Sequence, residues 1–460
     1  MRLREPKLRL FVILTVVCLL WVGLFRSDSS MVDATTDDTY KTLKTFADVL
    51  SIVQKKYVED VDSQELVYGA IHGMLKTLDP HSSFLSPEEY KEFQLDTKGS
   101  FGGLGIEISV RDGVLTIISP IEDTPAYRAG IQAGDKIILI EGEPSKDMTL
   151  MEAVKKLRGK KGTEVTISIW REGFEKLKEI TIVRDIIKIQ SVKKKDIGDG
   201  YGYVRILQFK QNTVSDLEKA LKELENEYAG GLKGIVLDLR TNPGGLLDQA
   251  VGVSDMFLDS GLIVYIDGRM KSQKMEFSAK ENSMYPDIPI VVLVNHGSAS
   301  ASEIVAGALQ DNDRAIILGT PTFGKGSVQS IISMEDGSGL KLTTARYFTP
   351  DGNDIQAKGI TPDIELAASL KKVESKPMVI READLKNHMK GRDEADPAEE
   401  PSEEDEPADL EQEGEADPTE GEVEDIQLER AIELLRSWEI FKKTIGKKAG
   451  EGTDAGEYQG

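Results

Sequence analysis

The stretch that most constrains this chain covers residues 289–329, where two apolar runs alternate with turns of small residues. The first run, residues 290–294, is rich in β-branched residues and has the length of a buried strand. It stops at Asn295-His296-Gly297, and a serine-rich segment, residues 298–302, leads into a helix predicted from Glu303. Because backbone N–H groups at a helix N-terminus are unpaired, this turn suits an anion or the oxyanion of acyl transfer.

The second apolar run, residues 315–318, leads into a loop in which glycines and Phe323 flank Lys325. A serine in the first turn and a lysine in the second indicate a nucleophile and a base. Simpler interpretations exist for both. Ser300 could serve only as a helix N-cap, and Lys325 could be an exposed loop lysine.

Two other kinds of site fit this stretch less well. The sequence GTPTFGK matches a nucleotide-binding P-loop as far as its lysine, but Gly326 stands where the magnesium-binding Ser or Thr belongs. A Ser-His-Asp triad could draw on His296 or His81, yet the serine turn lacks the G-x-S-x-G pattern. Four scattered histidines without HExxH give no sign of a metal, and no cofactor is expected.

The motifs GSASASE and TFGKGSVQ resemble those of the carboxyl-terminal processing peptidases, which are serine endopeptidases with a Ser-Lys dyad. The similarity extends over residues 39–366. The resemblance implies that Ser300 is the nucleophile, that Lys325 is the general base and that Gln329 orients the lysine. It also implies an oxyanion site formed by the N–H of Ala301 with that of Gly244 or Gly245, in the segment LDLRTNPGGLL.

Residues 99–184 resemble a PDZ domain of the bacterial protease type, because a Gly-rich segment, SFGGLGIEIS, precedes AGIQAGDKI. Consecutive N–H groups in a Gly-rich loop can bind a carboxylate, and a strand edge can bind an extended peptide. The predicted substrate-binding residues are Gly102, Gly103, Leu104, Gly105 and Ile106.

Alternating strands and helices predict an α/β fold. With the two resemblances, they imply an α/β multidomain chain: an α/β serine-protease core with an inserted PDZ domain and helical N- and C-terminal segments. Apolar spacing predicts a helical N-terminal region over residues 39–98, and alternating strands and helices predict the protease core over residues 185–370. A C-terminal helix is predicted over residues 426–445. Its apolar face needs a partner surface, either within the subunit or in a second one, so a homodimer through the N- and C-terminal helices is one expectation.

Charge is unevenly distributed along the chain. The formal net charge is −23, but residues 393–425 alone hold 18 acidic residues, which predicts a disordered acidic linker over residues 381–425. An acidic chain also argues against a nucleic-acid partner.

The first 26 residues predict a signal or anchor segment, because basic residues precede an uncharged apolar run at residues 10–25. Such a segment would place the body outside the cytoplasm, in the periplasm or elsewhere in a bacterial cell envelope, with an inner-membrane anchor if it is retained. The body contains no cysteine, so disulfides are not expected there.

Together these features predict a serine endopeptidase that cleaves envelope proteins or peptides near their C-termini, with PDZ recognition of the free C-terminus. A non-catalytic PDZ adaptor of the cell envelope is the alternative.

Overall fold

The computed structural model describes residues 36–111, 113–281, 283–367, 380–391 and 425–451. The chain divides into two compact units, residues 1–73 and 74–460. The predicted signal or anchor segment, residues 1–26, lies outside the described residues. Among the helices that are described, none is long and apolar enough to cross a membrane.

The N-terminal part contains helices α1 (Thr36–Lys56) and α2 (Ser63–Lys76), strand β1 (Ser83–Leu85) and helix α3 (Pro87–Thr97). Helix α3 begins with a capping box. Ser86 Oγ accepts from Glu89 N, the Glu89 carboxylate accepts from Ser86 N, and Pro87 occupies the first turn.

The next segment of the chain is the predicted PDZ domain. Its elements are β2 (Ser100–Gly103), β3 (Ile106–Arg111), β4 (Val114–Pro120), α4 (Pro125–Arg128), β5 (Lys136–Ile140), β6 (Glu143–Pro144), α5 (Leu150–Leu157), β7 (Glu164–Trp170), β8 (Lys178–Val183) and β9 (Asp185–Lys188). The sheet order β3-β4-β5-β7-β8 leaves β3 at one edge. Its core is aliphatic, with Ile117, Ile137 and Ile167 fully buried. Strands β2 and β9 pair with each other where the chain enters and leaves the predicted PDZ domain.

The predicted protease core follows. Its elements are β10 (Val192–Asp196), β11 (Tyr201–Ile206), α6 (Thr213–Asn226), β12 (Gly234–Asp238), α7 (Leu247–Asp255), β13 (Leu262–Gly268), β14 (Met275–Ser278), β15 (Ile290–Val294), α8 (Ala301–Asp311), β16 (Ile316–Gly319), β17 (Ser327–Ser333), β18 (Gly339–Phe348) and β19 (Ile364–Glu365), with α9 (Ile426–Glu451) near the C-terminus.

The central sheet has the order β10-β11-β12-β15-β16-β19 and is parallel from β11 to β19. Strands β12 and β15 are buried along their whole length, because helices cover both faces of the sheet. Helices α6, α7 and α8 pack on one face. On the other face, Ala431 and Leu435 of α9 pack against Val236, Leu293 and Leu318. The protein's own sheet therefore covers part of the apolar face of the C-terminal helix, whereas Trp438 stays exposed.

A second sheet has the strand order β1-β18-β13-β14, and β17 also pairs with β18. The loop that precedes β17 leads directly into this sheet. Its strand β1 comes from the region that the sequence assigns to the helical N-terminal part, and it pairs with residues 339–341. The described segment 380–391 also packs on the core, although the sequence assigns residues 381–425 to an acidic linker. Glu382, in a short 3-10 turn, is fully buried, and its hydrogen-bond partners there offset the cost of burying a carboxylate.

Candidate active site

Ser300 lies between β15 and α8 with unusual backbone angles, φ 53° and ψ −110°. It occupies the N-cap position, but its side chain makes no capping hydrogen bond. Its backbone N–H instead donates to the Glu303 carboxylate, three residues further on. A non-glycine residue at positive φ costs stability, and such strain is common at functional turns.

The two neighbouring serines hold this turn in place. Ser298 Oγ donates to Leu239 O at 2.8 Å, and Ser302 Oγ donates to Asn242 O at 2.9 Å. Both serines are fully buried, whereas Ser300 keeps 8% of its surface exposed. The three serines thus differ in environment, and among the described residues no hydrogen bond is made by Ser300 Oγ.

Glu303 links the serine turn to the lysine loop. Its buried carboxylate accepts four hydrogen bonds: from Ser300 N at 2.8 Å, Thr322 Oγ1 at 2.6 Å, Gly324 N at 2.8 Å and Lys325 N at 2.9 Å. Burial raises the pKa of Glu303 to about 7, although these hydrogen bonds favour the charged form. The sequence interpretation gave Glu303 no role. The available signal was its place three residues after Ser300, from which a carboxylate can reach back to the N-cap N–H.

Lys325 is largely enclosed by the protein. Burial lowers the pKa of Lys325 to about 8, and the positive charge of Lys341 on β18 acts in the same direction. The carboxylates of Glu382, Glu303 and Asp79 act in the opposite direction. In roughly one molecule in ten at pH 7, Lys325 is therefore neutral, as a base requires.

Gln329 lies on β17, close along the chain to Lys325. Its Nε2 donates to Ser327 Oγ at 2.9 Å and lies 3.5 Å from Thr343 Oγ1. Among the described residues, no hydrogen bond joins Lys325 Nζ to Gln329 or to Ser300. Glu303 thus joins the backbones of Ser300 and Lys325, whereas the hydrogen bonds of the described residues do not connect the side chains of the three predicted residues.

The loop after β12 packs directly against the serine turn. A Cβ on Gly244, at φ 99°, would lie 2.9 Å from Ser300 Cβ. The N–H of Gly244 donates to Asn242 Oδ1 at 2.9 Å. In the described part of the chain, the N–H groups of Gly245 and Ala301 have no such acceptor. Of the two predicted glycines, only Gly245 therefore has a backbone donor left for a ligand.

Arg240, which opens this loop, is fixed by acidic residues from two parts of the chain. Its guanidinium binds Asp238 at the end of β12 and Asp425 at the start of α9, with the nearest distances 2.6 and 2.7 Å. These partners raise the pKa of Arg240, so it stays charged. The C-terminal helix is in this way attached to the glycine loop.

The predicted peptide-binding residues occupy two different settings. Gly102 and Gly103 lie in β2 and pair with β9, so they form strand rather than loop. Leu104 is buried in the PDZ core. Within the described residues, the N–H groups of Leu104 and Gly105 have no backbone acceptor, and Ile106 begins the edge strand β3. The described residues include no group of three or more His, Cys, Asp and Glu side chains able to hold a metal.

Comparison with known proteins agrees with this architecture. Residues 200–366 match the model of peptidase family S41, residues 92–170 match the PDZ domain, and residues 25–89 match the activating protease CtpB N-terminal domain. The carboxy-terminal-processing protease of Bartonella bacilliformis is 48% identical over 81% of this chain and 88% of its own length. The chain belongs to the carboxy-terminal processing proteases.

Other members of the family are also similar. The carboxy-terminal processing protease CtpA of Bacillus subtilis is 37% identical over 79% of this chain and 77% of its own length. A solved structure, that of the photosystem II D1 C-terminal processing protease, is 33% identical, covers 70% of this chain and 92% of its own, and superposes with a TM-score of 0.41. The family and the α/β multidomain fold with a PDZ domain predicted from the sequence are confirmed.

Proposed function

We propose that this carboxy-terminal processing protease is a serine endopeptidase in which Ser300 is the nucleophile and Lys325 the general base. The observation that carries the proposal is the Glu303 carboxylate, which accepts hydrogen bonds from the backbone of both residues. One buried group thus fixes the two loops relative to each other. The lowered pKa of Lys325 supports its role as base.

The reaction would begin with neutral Lys325 Nζ taking the proton of Ser300 Oγ as the oxygen attacks the substrate carbonyl carbon. The C–N bond then breaks, and Lys325 returns the proton to the leaving amine, which leaves an acyl-enzyme. Water, deprotonated by the same lysine, hydrolyses the ester. The free enzyme need not hold the Ser300–Lys325 hydrogen bond, because such contacts often tighten only with substrate bound. In that complex we assign Gln329 to orient Lys325.

For the oxyanion we assign the N–H groups of Ala301 and Gly245. Both are free of protein acceptors among the described residues, whereas the N–H of Gly244 is bound to Asn242. The Ala301 group also stands at the first turn of α8, where the helix dipole favours negative charge.

The PDZ domain is assigned to bind the free C-terminus of the substrate. Support comes from the unpaired N–H groups of Leu104 and Gly105 and from the edge position of β3, which within the described chain pairs only with β4. A peptide could add to that edge as a further strand, with its carboxylate at the Leu104–Gly105 loop. Ile106, half-buried at the start of β3, would contact the last side chain.

We further place the protein in the bacterial cell envelope, on the strength of the basic and apolar pattern of residues 1–26. A homodimer is part of the same proposal, because Leu43, Phe46 and Val49 of α1 present exposed apolar side chains. Sedimentation showing a monomer at every concentration would remove the dimer.

The deciding experiment compares the wild-type protein with the Ser300→Ala variant on casein and on a tagged unstructured peptide. Wild-type protein should cleave both, and the variant neither. If the variant cleaves as well as wild-type protein, Ser300 is not the nucleophile. If neither protein cleaves while both bind the peptide, the non-catalytic adaptor is favoured.

A further inference from the structure

The lysine loop is held by a segment that lies beyond the matched protease family region, residues 200–366. In that segment, Glu382 N donates to Phe323 O at 3.2 Å, two residues before Lys325. The Glu382 side chain is fully buried. A residue from after the protease core is thus built into the loop of the proposed base.

The Glu382 carboxylate is fixed by two side chains. His81 Nε2 lies 2.7 and 2.9 Å from its two oxygens, and Gln356 Nε2 donates to Oε1 at 2.8 Å. Gln356 Oε1 in turn accepts from Gly326 N at 3.0 Å. Phe323, before Lys325, is therefore bound to Glu382 directly. Gly326, after Lys325, is connected to Glu382 through Gln356.

The lysine loop is consequently held by two buried acidic residues from different parts of the chain. Glu303, on α8, binds the backbone of Lys325 itself. Glu382 arrives from the later segment and is joined to His81, which precedes β1. Glu303 joins the serine turn to the lysine loop, whereas Glu382 joins the lysine loop to segment 380–391.

We propose that Glu382 is a positioning residue for Lys325, which holds the lysine loop from segment 380–391 through Phe323 and Gln356 and so tunes the lysine as a base. The inference rests on the proposed function of Lys325. It also means that segment 380–391 completes the site, so a protein ending at the last core strand would have an altered base.

The direction of the effect follows from the groups that face Lys325. Lys341 on β18 disfavours the ammonium form, whereas Asp79 before β1, Glu303 on α8 and Glu382 favour it. Asp79 is itself held by Ser82 and Thr343, and His81 faces Glu382 from the same turn. Removing the charge of Glu382 alone should therefore make Lys325 easier to deprotonate.

The test is the acidic limb of the kcat/KM pH profile for a tagged peptide, measured on the full chain. Glu382→Gln, which keeps the size and removes the charge, should move this limb to lower pH by roughly half a unit or more. Glu382→Asp should lie between wild-type protein and the Gln variant. Asp384→Asn, the same change at an exposed position of the same turn, should leave the limb in place.

Melting temperatures are measured in parallel. A purely structural role would lower the melting temperature and kcat/KM at every pH without moving the limb, and that result overturns the inference. If the Gln variant does not fold, the Asp variant decides: a shift to lower pH supports the inference, and no shift or the opposite shift overturns it. Failure of the proposed function gives a different result: the Lys325→Arg variant would then retain proteolysis, independently of the results for the Glu382 variants.

Discussion

Replacing Lys325 should abolish proteolysis and at the same time stabilise the folded protein. The pKa of Lys325 falls from 10.5 to about 8, mainly through burial. At pH 7 this leaves roughly one lysine in ten neutral, compared with about one in 3,000 for an exposed lysine. The environment thus supplies about 300-fold more base, at a stability cost of about 3 kcal/mol below pH 8.

The sign of the stability effect follows from proton binding. Between pH 8 and 10.5 the unfolded chain holds the lysine proton more tightly than the folded one, so the destabilisation disappears as pH rises through this window. Lys325→Met keeps the length of the side chain and removes the buried charge. It should therefore raise the free energy of unfolding at pH 7, by up to about 3 kcal/mol, and have a smaller effect above pH 10.

Two assays test this reasoning. Urea unfolding of wild-type and Lys325→Met protein at pH 7 and pH 10 gives the stability difference. A kcat/KM profile from pH 5 to 9.5 should rise tenfold per unit and level off near pH 8. Lys325→Arg should be inactive throughout, because a guanidinium does not deprotonate in a protein. Substantial proteolysis by the Arg variant, or a profile flat from pH 6 to 9, would refute the lysine-base mechanism.

Three further outcomes are expected. Ser300→Ala should lower kcat at least about 1,000-fold with little change in melting temperature. Ser298→Ala and Ser302→Ala should keep more activity and melt at a lower temperature, because each loses a buried hydrogen bond. An inactive Ser302→Ala variant together with an active Ser300→Ala variant would contradict the assignment. Glu303→Gln should lower kcat, and it should lower the free energy of unfolding by about 2–5 kcal/mol. The reason is that an amide nitrogen would replace an oxygen that accepts two hydrogen bonds. Unchanged unfolding in urea would contradict this. Amidating the C-terminus of a peptide substrate should lower kcat/KM about tenfold, and equal cleavage of acid and amide would mean that the PDZ domain does not read the terminus.

Several features followed from the sequence because their causes are local. Strand β15, the turn at Ser300 and helix α8 lie within about twenty residues, and apolar runs with small turn residues specify such a unit directly. The same holds for the start of α3, where Ser86, Pro87 and Glu89 are neighbours. The family resemblance then predicted that Lys325 and the glycine loop belong to the same site.

Only the tertiary structure decided which groups those residues contact. The hydrogen bond from Gly244 to Asn242 distinguishes two glycines that the sequence left equivalent. Packing on Val236 and Leu293 shows what covers helix α9, because an amphipathic pattern predicts a covered face but not its partner. The sequence pattern assigned Glu382 to the acidic linker because the composition of a segment indicates only how well it is solvated on average. Composition does not show which single residue the fold buries. The burial of Glu382 depends on His81 and Gln356, which are distant in sequence, and a buried carboxylate is stable only where the fold brings such donors together.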